Sequence, residues 1–551
     1  MEKTKLFFIC LFFTASCSSF YAQTNESDSI VLPDITTVID GEDLPLDEHA
    51  VPDFSGALPK DFTNTDTLPS LPDVDFEEGK NLTYETELEG TGKKNIFMEG
   101  EISLGWPYVF LGDFSVHKTE ENPFLLRFMH DSVGGYGFTN RQSDFFDVVT
   151  EIGGQKTFSV GNANLFAKGG YIAHDDGMQG NSVVFDDINR RFLSGSFFAC
   201  VPFGKGFSSE FGADGEWFTR FAGFADSMAV LPSYDSVALS LLRFHPRALL
   251  SWNNEFAGLE LNGGFSWTSF LQSSLPVVTR GEVAFSALLN FPWLDAKVGV
   301  GTVFLPNGSG LEGKSIVVPF DLGLTAKIPL PLSNMPLVLS LEGGITSKPT
   351  DVPSIEYENP FTNFTASFFS KNMEQSDWFA AFAAAMPIGS SFSARLGLDF
   401  RKTFFGNGLV CSDYERINET TGFFYGAVEQ GTRLKSDLEI AFWAGSFAGS
   451  VKWQSHWLDV PSGQARHSMV LAVSYFRNRW GLNFSLQENL GSNYDKIPEV
   501  DFAVFLKPTQ SVKIELGLYD VAKLVTGKAR VFAEPYDSRS GCTSVSVHFM
   551  Y

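Results

Sequence analysis

The chain has 551 residues, of which 44% are hydrophobic and only 19% charged, and its formal net charge at pH 7 is −25. Such an acidic chain is not expected to bind nucleic acid in general, because phosphates attract basic surfaces. The 56 Phe residues are about one residue in ten, which is more than a small core could bury. The composition therefore favours a protein whose outer surface contacts lipid.

The first 22 residues are predicted to be a secretory signal peptide. The segment MEKTKLFFICLFFTASCSSFYA has lysines near its start, then an apolar run, then small residues. Cleavage after Ala22 would leave Gln23 as the first residue. The alternative is lipidation of Cys17, because Thr14-Ala15-Ser16-Cys17 is a loose lipobox. In both cases the mature chain is exported.

The rest of the chain contains neither a spanning helix nor a cysteine framework. After residue 22 there is no apolar run of about 18 residues, the length that a spanning helix needs. Besides Cys10 and Cys17, the cysteines are Cys200, Cys411 and Cys542. Three scattered cysteines give no metal-ligand spacing, so we expect isolated thiols or a single disulfide.

Residues 23–92 are predicted to form an acidic, Pro-rich periplasmic arm. From Thr24 to Gly92 the sequence has 18 Asp and Glu against two Lys. A segment of this composition cannot bury enough apolar surface to offset its ordering entropy, so the arm is expected to be disordered. It is either a solvated linker or a docking peptide for a periplasmic protein or for the lumen of the following domain.

Residues 93–551 show the pattern of an all-β transmembrane barrel. Apolar and polar residues alternate, as in Phe392-Ser-Ala-Arg-Leu-Gly-Leu-Asp-Phe400, in segments of about ten residues. Short links, such as those at Trp106-Pro107 and Asn478-Arg479, are mixed with long polar stretches. Short periplasmic turns and long outer loops are typical of antiparallel outer-membrane barrels, and the length predicts roughly 18 to 22 strands.

Charged residues of both signs occupy the positions that alternate with the apolar ones. A charge that faces lipid at mid-depth costs roughly 2 to 4 kcal/mol, so these residues are expected to point into a water-filled lumen. They either merely pair along the wall or select a solute. The candidates are Glu99, Glu101, Asp113, Arg127, Glu260, Arg395, Asp399, Arg401, Lys452, Lys513 and Glu515.

No catalytic, cofactor or metal site is predicted. The GxSxG, HExxH, P-loop and paired CxxC signatures are absent from the sequence. The segment His174-Asp175-Asp176 has residue types that bind metal ions, and the alternative is a metal site there if the segment lies in an exposed loop. Neighbouring residues of a strand point to opposite faces, however, so we interpret these three as ordinary rim residues.

The last nine residues, TSVSVHFMY, alternate to the final position. This segment resembles the C-terminal assembly signal of outer-membrane barrels, with apolar residues at Val545, Val547 and Phe549 and a terminal aromatic at Tyr551. The resemblance implies recognition by the barrel-assembly machinery and pairing with the first strand. Outer-membrane lipid would then surround the barrel.

Two segments resemble TonB-dependent receptor barrels. The first is Glu358-Asn359-Pro360-Phe361 followed by a long loop and a strand, and the second is the opening from Asn95 to Tyr136 with GDFSVHKTEENPFLLRFMH. The Leu and Pro-Glu that usually follow Asn-Pro in this family are absent. These receptors carry a plug domain of well over a hundred residues before the barrel, whereas the arm here is about 70 residues, so we expect a plugless relative.

The sequence thus predicts an outer-membrane barrel that transports small solutes passively or with a partner protein. The alternative is a surface adhesin or scaffold that acts through its long outer loops and its arm. A filled lumen with ordered, aromatic-rich loops would favour this alternative, whereas an open lumen would favour transport.

Overall fold

The computed structural model describes residues 96–106, 108–118, 123–134, 145–225, 237–271, 273–305, 316–330, 336–388, 391–403, 408–461, 464–477, 479–491, 497–526, 530–539 and 541–551. The predicted signal peptide, its cleavage at Ala22, the alternative lipidation of Cys17 and the acidic arm of residues 23–92 lie outside these ranges. Within them, no helix is long and apolar enough to cross a membrane.

The described residues form a closed antiparallel barrel of 22 strands, so the predicted fold class is confirmed. Each strand pairs with the next in the chain order, and the last pairs with the first. The barrel strands are β1 (Phe97–Trp106), β2 (Val109–Lys118), β3 (Phe124–Gly134), β4 (Phe146–Val160), β5 (Ala163–Gly177), β6 (Phe185–Gly204), β7 (Phe207–Phe224), β8 (Leu239–Asn253), β9 (Ala257–Phe270), β10 (Val278–Phe291), β11 (Leu294–Phe304), β13 (Phe320–Ile328), β14 (Leu337–Pro349), β16 (Glu374–Ile388), β17 (Phe392–Thr403), β20 (Thr432–Ala444), β21 (Phe447–His456), β22 (His467–Arg477), β23 (Trp480–Leu490), β24 (Glu499–Thr509), β25 (Val512–Tyr519) and β28 (Cys542–Met550).

Shorter elements lie between these strands. Two short helices interrupt the connection from β14 to β16, and a small sheet links that connection to the one from β17 to β20. The short elements are β12 (Ile316–Val317), α1 (Val352–Glu358), β15 (Thr362–Asn363), α2 (Ala366–Lys371), β18 (Leu409–Ile417), β19 (Phe424–Glu429), α3 (Val521–Thr526), β26 (Arg530–Ala533) and β27 (Tyr536–Ser538).

The alternation of the sequence decides which side chains face outward. On β1, Leu104 is 60% exposed, whereas its neighbour Ser103 is 4% exposed. The same contrast recurs around the ring, where apolar side chains such as Leu126, Leu322 and Leu516 are more than half exposed. An apolar outer face on a closed barrel is stable only in lipid, which agrees with a location in the outer membrane.

The two ends of the barrel differ in the length of their connections. At the end that holds the C-terminus, β4 and β5, β6 and β7, and β10 and β11 are joined by two residues each. We call this the turn end. The opposite end, the loop end, carries long connections that include residues 178–184, 350–373, 404–431 and 520–541. Short turns are periplasmic in outer-membrane barrels, so the loop end faces the outside of the cell.

One short link lies on the unexpected side. The connection after Trp106 joins β1 to β2 at the loop end, whereas the link at Asn478-Arg479 lies at the turn end. The reason is that β1 starts beside the C-terminus and runs towards the loop end. Its first connection is therefore at that end whatever its length.

β28 closes the barrel against β1, in a register that runs from Glu99 opposite Met550 to Trp106 opposite Thr543. Tyr551 extends this seam by two backbone hydrogen bonds. The Met98 amide donates to the Tyr551 carbonyl at 2.9 Å, and the Tyr551 amide donates to the Met98 carbonyl at 2.8 Å. Backbone pairing with β1 therefore continues one residue beyond the end of β28, to Tyr551.

Deletion of Tyr551 is expected to leave most of the chain unassembled in the periplasm, because it removes the terminal aromatic and both backbone bonds at the seam. The fraction of heat-modifiable barrel in outer-membrane preparations measures this loss. Tyr551→Phe keeps the ring and the backbone, so it should assemble as the native chain does. Equal assembly of the deleted and native chains would contradict the role of this residue as part of an assembly signal.

Candidate functional site: a folded cap over a charged lumen

The predicted lumen residues lie on the strand faces opposite to the exposed apolar side chains. Most have a partner from the same or the neighbouring strand, whereas Glu99 and Arg395 have no ion pair within the described residues. The contacts are Arg127 to Asp113 at 2.6 Å, Arg401 to Asp399 at 3.0 Å, Lys513 to Glu515 at 3.0 Å, Lys452 to Glu439 at 3.2 Å, His548 to Glu101 at 3.3 Å, and the Ser286 hydroxyl to Glu260 at 3.4 Å. Their part in the passage of a solute stays a prediction.

The same face continues with ion pairs that the candidate set did not include. Lys327 contacts Asp295 at 2.7 Å and Lys297 contacts Asp321 at 3.1 Å. Both pairs join the neighbouring strands β11 and β13. Because most of these charges are partly exposed and paired, the wall is a hydrated polar surface. Such pairs contribute little stability by themselves.

The mouth at the loop end holds folded connections, which we name the cap. The cap consists of the described parts of residues 178–184, 350–373, 408–431 and 520–541. Its backbone is tied together by a three-stranded sheet in which β15 runs parallel to β19 and β19 pairs with β18. This sheet joins two of the connections, those of residues 350–373 and 408–431.

A buried charge network fastens the cap to the wall. Arg220 on β7 and Glu356 on α1 are both fully buried, and Nη1 of Arg220 donates to both carboxylate oxygens of Glu356 at 2.7 and 2.8 Å. The same guanidinium donates to the backbone carbonyls of Thr362 and Phe364, each at 3.0 Å. A buried pair of this kind holds its geometry because breaking it would leave an uncompensated charge.

Arg190 on β6 strengthens this anchor. Its Nη1 donates to the Glu356 carbonyl at 2.8 Å, and its Nη2 is bonded to Asp176 on β5. Arg190 and Arg220 are direct cross-strand partners. Like charges in that arrangement repel each other, so the cap supplies the negative charge that the wall needs at this point.

Two apolar clusters complete the junction between the cap and the wall. In the first, Phe192 and Phe218 of the wall pack against Phe364 and Phe369 of the cap. The second contains Met178, Val184, Phe185, Ile188, Val237, Phe361, Phe423, Phe424, Ala533 and Tyr536. Burial of aromatic side chains is the main source of energy for such a contact, so the cap is docked and not merely adjacent.

The ring of Tyr536 joins three connections of the cap. It stacks on Phe361 with ring centroids 3.8 Å apart and an interplanar angle of 4°, and its hydroxyl donates to the Gly422 carbonyl at 2.6 Å. Gly422 has a φ of +75°, a conformation that glycine adopts without strain. Beside it, Gln179 exchanges two hydrogen bonds of 2.9 Å with the backbone of Asp537.

Asn359, one of the two residues that carry the family resemblance, links two connections of the cap. Its amide donates to the Ile355 carbonyl at 2.8 Å at the end of α1, and its Oδ1 accepts from Ser412 at 2.8 Å and from the Tyr414 hydroxyl at 2.9 Å. Burial raises the pKa of Tyr414 to about 12, so this hydroxyl stays protonated and donates. Burial also raises the pKa of Cys411 to about 12, which leaves its thiol unreactive.

The wall itself folds inward at the loop end. Nε of Arg280 on β10 donates to Glu374 on β16 at 3.0 Å, and its Nη2 donates to the Ser347 carbonyl of β14 at 3.2 Å. In the ring, β11, β13 and β14 separate β10 from β16. A side-chain contact between such distant strands requires the strands to approach each other at the loop end. This approach narrows the lumen under the cap.

A second, more exposed anchor comes from the connection between β25 and β28. Nε of Arg539 donates to Asp147 on β4 at 2.6 Å, and its Nη1 donates to Asp131 on β3 at 2.7 Å. The side chains of Arg539, Asp131 and Asp147 are 33%, 29% and 21% exposed. This anchor therefore lies in contact with solvent.

The segment His174-Asp175-Asp176 is part of β5 and not of an exposed loop. Asp175 points away from its two neighbours and is bonded to Arg191. His174 lies between Asp147 at 3.1 Å and Asp176 at 3.2 Å. One ligand atom from each of these three residues lies within 4.8 Å of the others. Both carboxylates already bind an arginine, and those positive charges disfavour a dication at this place.

The sequence analysis did not identify the residues that hold the cap, namely Arg190, Arg220, Glu356, Tyr536 and Arg539. The one available signal for these residues was an arginine within an aromatic-rich strand, as in Trp217-Phe-Thr-Arg220, where Arg220 shares a strand face with Phe218. That alternation would have placed the two wall arginines on the lumen face. Nothing local indicates their partners in the cap.

The chain matches no protein-family model, and the search of curated proteins gives no relative. Its fold is similar to that of solved outer-membrane transporters and receptors. The copper transporter OprC has a TM-score of 0.60 and 10% identity over 84% of this chain and 82% of that chain. The siderophore receptor PirA from Acinetobacter baumannii has a TM-score of 0.61 and 8% identity over 84% and 81%.

The FrpB iron transporter from Neisseria meningitidis (F5-1 variant) has a TM-score of 0.58 and 10% identity, covering 84% of this chain and 83% of that chain. At this level of identity the likeness shows the fold alone. The predicted resemblance to TonB-dependent-receptor barrels is thereby confirmed for the architecture. The expected lack of a plug concerns residues that the structure does not describe and stays a prediction.

Proposed function

We propose that this barrel transports small solutes across the outer membrane and that the cap is its gate. The proposal rests on one observation above all: a barrel wide enough for an aqueous lumen has a cap docked on its inner wall at the extracellular end. A barrel of 22 strands is wide enough to need a plugged lumen. The cap supplies such an obstruction from the loop end.

The chemistry of the wall supports passage of a polar solute. Its charges are paired between neighbouring strands and remain partly exposed, as in Lys297 with Asp321. A solute can exchange contacts with such a surface without being held tightly, which conduction requires. The wall is therefore suited to transport once the cap has moved.

The docking of the cap argues for gated and not for freely passive passage. Opening must separate buried aromatic clusters and the pair of Arg220 with Glu356, which is costly. A solute bound at the mouth, or a partner protein acting from the periplasm, would supply that free energy. The similar solved structures are named as transporters and receptors, which supports transport in general for this chain.

The second candidate is a surface or scaffold barrel, and the order of the aromatic-rich loops favours it. In this cap, however, Phe364, Phe369 and Tyr536 are fully buried. Aromatic side chains turned inward close the mouth and are not presented to another protein. We therefore rank this role below gated transport.

Single-channel conductance in planar lipid bilayers tests the gate. The native full-length chain is compared with a variant in which residues 351–372 are replaced by a Gly-Ser linker of six residues. We expect rare, short openings from the native chain and frequent stepwise openings from the variant. Deletion of residues 492–496 between β23 and β24 controls for shortening a connection outside the cap and should leave the conductance at its native level.

Silence from the variant, with a folded barrel confirmed by heat-modifiable migration, would overturn gated transport and leave the scaffold role. A chain that starts at Lys93 separates the cap from the predicted arm. If that chain alone conducts, residues 23–92 are the main obstruction and the cap is not.

A further inference from the structure

The lumen face of β1 to β4 carries an excess of carboxylates. Six acidic residues and one arginine occupy this face within the described residues. They are Glu99, Glu101, Asp113, Asp131, Asp147 and Glu151, with Arg127 as the one arginine and His117 as a histidine on the same face. The partner of Arg127 is Asp113, so this sector of the wall stays strongly negative.

The arrangement of these acids is unfavourable for the barrel alone. Glu101 is the direct cross-strand partner of Asp113, and Asp147 is that of Asp176. Like charges directly opposite each other destabilise a sheet. Glu101, Asp113 and Asp176 each have a basic partner on a barrel strand. The arginine that binds Asp147 comes instead from the connection between β25 and β28.

A cationic group already occupies this sector near the loop end. The guanidinium of Arg539 reaches the wall from the connection between β25 and β28, and it is bonded to Asp131 at 2.7 Å and to Asp147 at 2.6 Å. Two carboxylates from neighbouring strands thus converge on one guanidinium that is not part of the wall. The bound guanidinium is independent evidence, besides the excess of negative charge, that this place binds a cation.

We propose that Asp131 and Asp147 form a binding site for the guanidinium or ammonium group of a cationic solute, and that Arg539 fills this site in the closed state. The inference rests on the proposed transport function and names its substrate class. A cationic solute that displaces Arg539 releases the connection of residues 520–541 from the wall. The acids below, at Glu151 and Glu101, continue the negative face towards the periplasm.

The exposure of the two anchors decides which one a solute can displace. Arg220 and Glu356 are fully buried, so no solute reaches them while the cap is closed. Arg539 and its two partners are each between one fifth and one third exposed. A partly hydrated ion pair exchanges partners far more readily than a fully desolvated one. The Arg539 anchor is therefore where binding begins and the Arg220 anchor is where the cap stays attached.

Calorimetric titration of the detergent-solubilised full-length protein with agmatine, which carries a guanidinium and an ammonium group, tests the site. Arg539→Gln removes the tethered competitor, so we expect agmatine to bind about tenfold more tightly than to the native chain, since a tethered group competes at a high effective concentration. Asp131→Asn combined with Asp147→Asn should abolish the binding. Asp295→Asn removes a paired lumen carboxylate elsewhere and should leave the affinity at the native value.

Unchanged affinity in Arg539→Gln, or native affinity in the double asparagine variant, would overturn the site. Glutamate, an anion of similar size, should not bind to any of these proteins, and equal binding of glutamate and agmatine would also overturn it. The titration needs no transport, so its failure is distinct from that of the proposed function. Conductance without agmatine binding would refute only the substrate class, and binding without conductance would refute only transport.

Discussion

Replacement of Arg220 by Met is expected to detach the cap from the wall. The side chain of Met fills much of the same volume but leaves the fully buried carboxylate of Glu356 without its main partner. Removal of one partner from a buried ion pair costs about 3 to 5 kcal/mol. The carbonyls of Thr362 and Phe364 lose a donor at the same time, so the loss falls on the cap and not on the barrel.

Hydrogen exchange of peptides that cover residues 352–371 measures this effect. A loss of about 3 kcal/mol corresponds to roughly a hundredfold faster exchange, because each 1.4 kcal/mol is a factor of ten. The same variant should open more often in the bilayer. Arg220→Met combined with Glu356→Leu removes both charges and is expected to recover part of the protection.

Lys452→Met is the matched control for Arg220→Met, because Lys452 forms a partly exposed pair with Glu439 on the wall at 3.2 Å. Exchange in residues 352–371 should stay at the native rate in this variant, since exposed pairs are worth about 0 to 1 kcal/mol. Native protection in Arg220→Met would show that the aromatic clusters alone hold the cap and that the charge network does not.

Replacement of Gly105 by Val is expected to break the closing seam of the barrel. A Cβ at this position would lie 2.4 Å from the carbonyl oxygen of Thr543 on β28. That oxygen belongs to the backbone, so no change of rotamer relieves the contact, and β1 must move away from β28. Overpacking of this kind costs about 1 to 3 kcal/mol or more, and here it opens an edge in a membrane that cannot hydrate it.

The fraction of heat-modifiable barrel and its midpoint of unfolding in guanidinium chloride measure the seam. Gly215→Val is the control, because a Cβ at Gly215 on β7 meets no atom within 4 Å. Val is favoured over Gly in a strand, so the control should unfold at the native midpoint or slightly above it. If both valine variants assembled equally well, the close approach at Gly105 would have no part in closure.

The sequence alone was sufficient to predict the barrel and its location. The alternation of apolar and polar residues recurs in more than twenty segments. Each segment needs only its immediate neighbours to form a wall. The strand count of 22 falls within the predicted range. The same period placed Glu101, Lys452 and their equivalents opposite to the apolar face, because successive side chains of a strand must alternate.

The cap could not be predicted in this way. Its contacts join residues that are far apart in the chain: Arg220 and Glu356 are separated by 136 positions, and Arg539 and Asp131 by 408. No periodic pattern connects such pairs, and their segments read as long polar loops. Even the segment from His174 to Asp176, which we interpreted as rim residues with an exposed-loop metal site as the alternative, belongs to β5.

The sequence therefore determined what depends on local alternation: an antiparallel barrel with an apolar outer face, a charged inner face and an apolar closing strand at the C-terminus. Only the tertiary structure decided that a folded cap is docked at the mouth, which of the inner charges are buried and which arginine occupies the acidic sector. The physical reason is that strand pairing repeats one short-range rule along the chain. The cap instead depends on single long-range contacts, whose partners are brought together only once the ring of strands has closed.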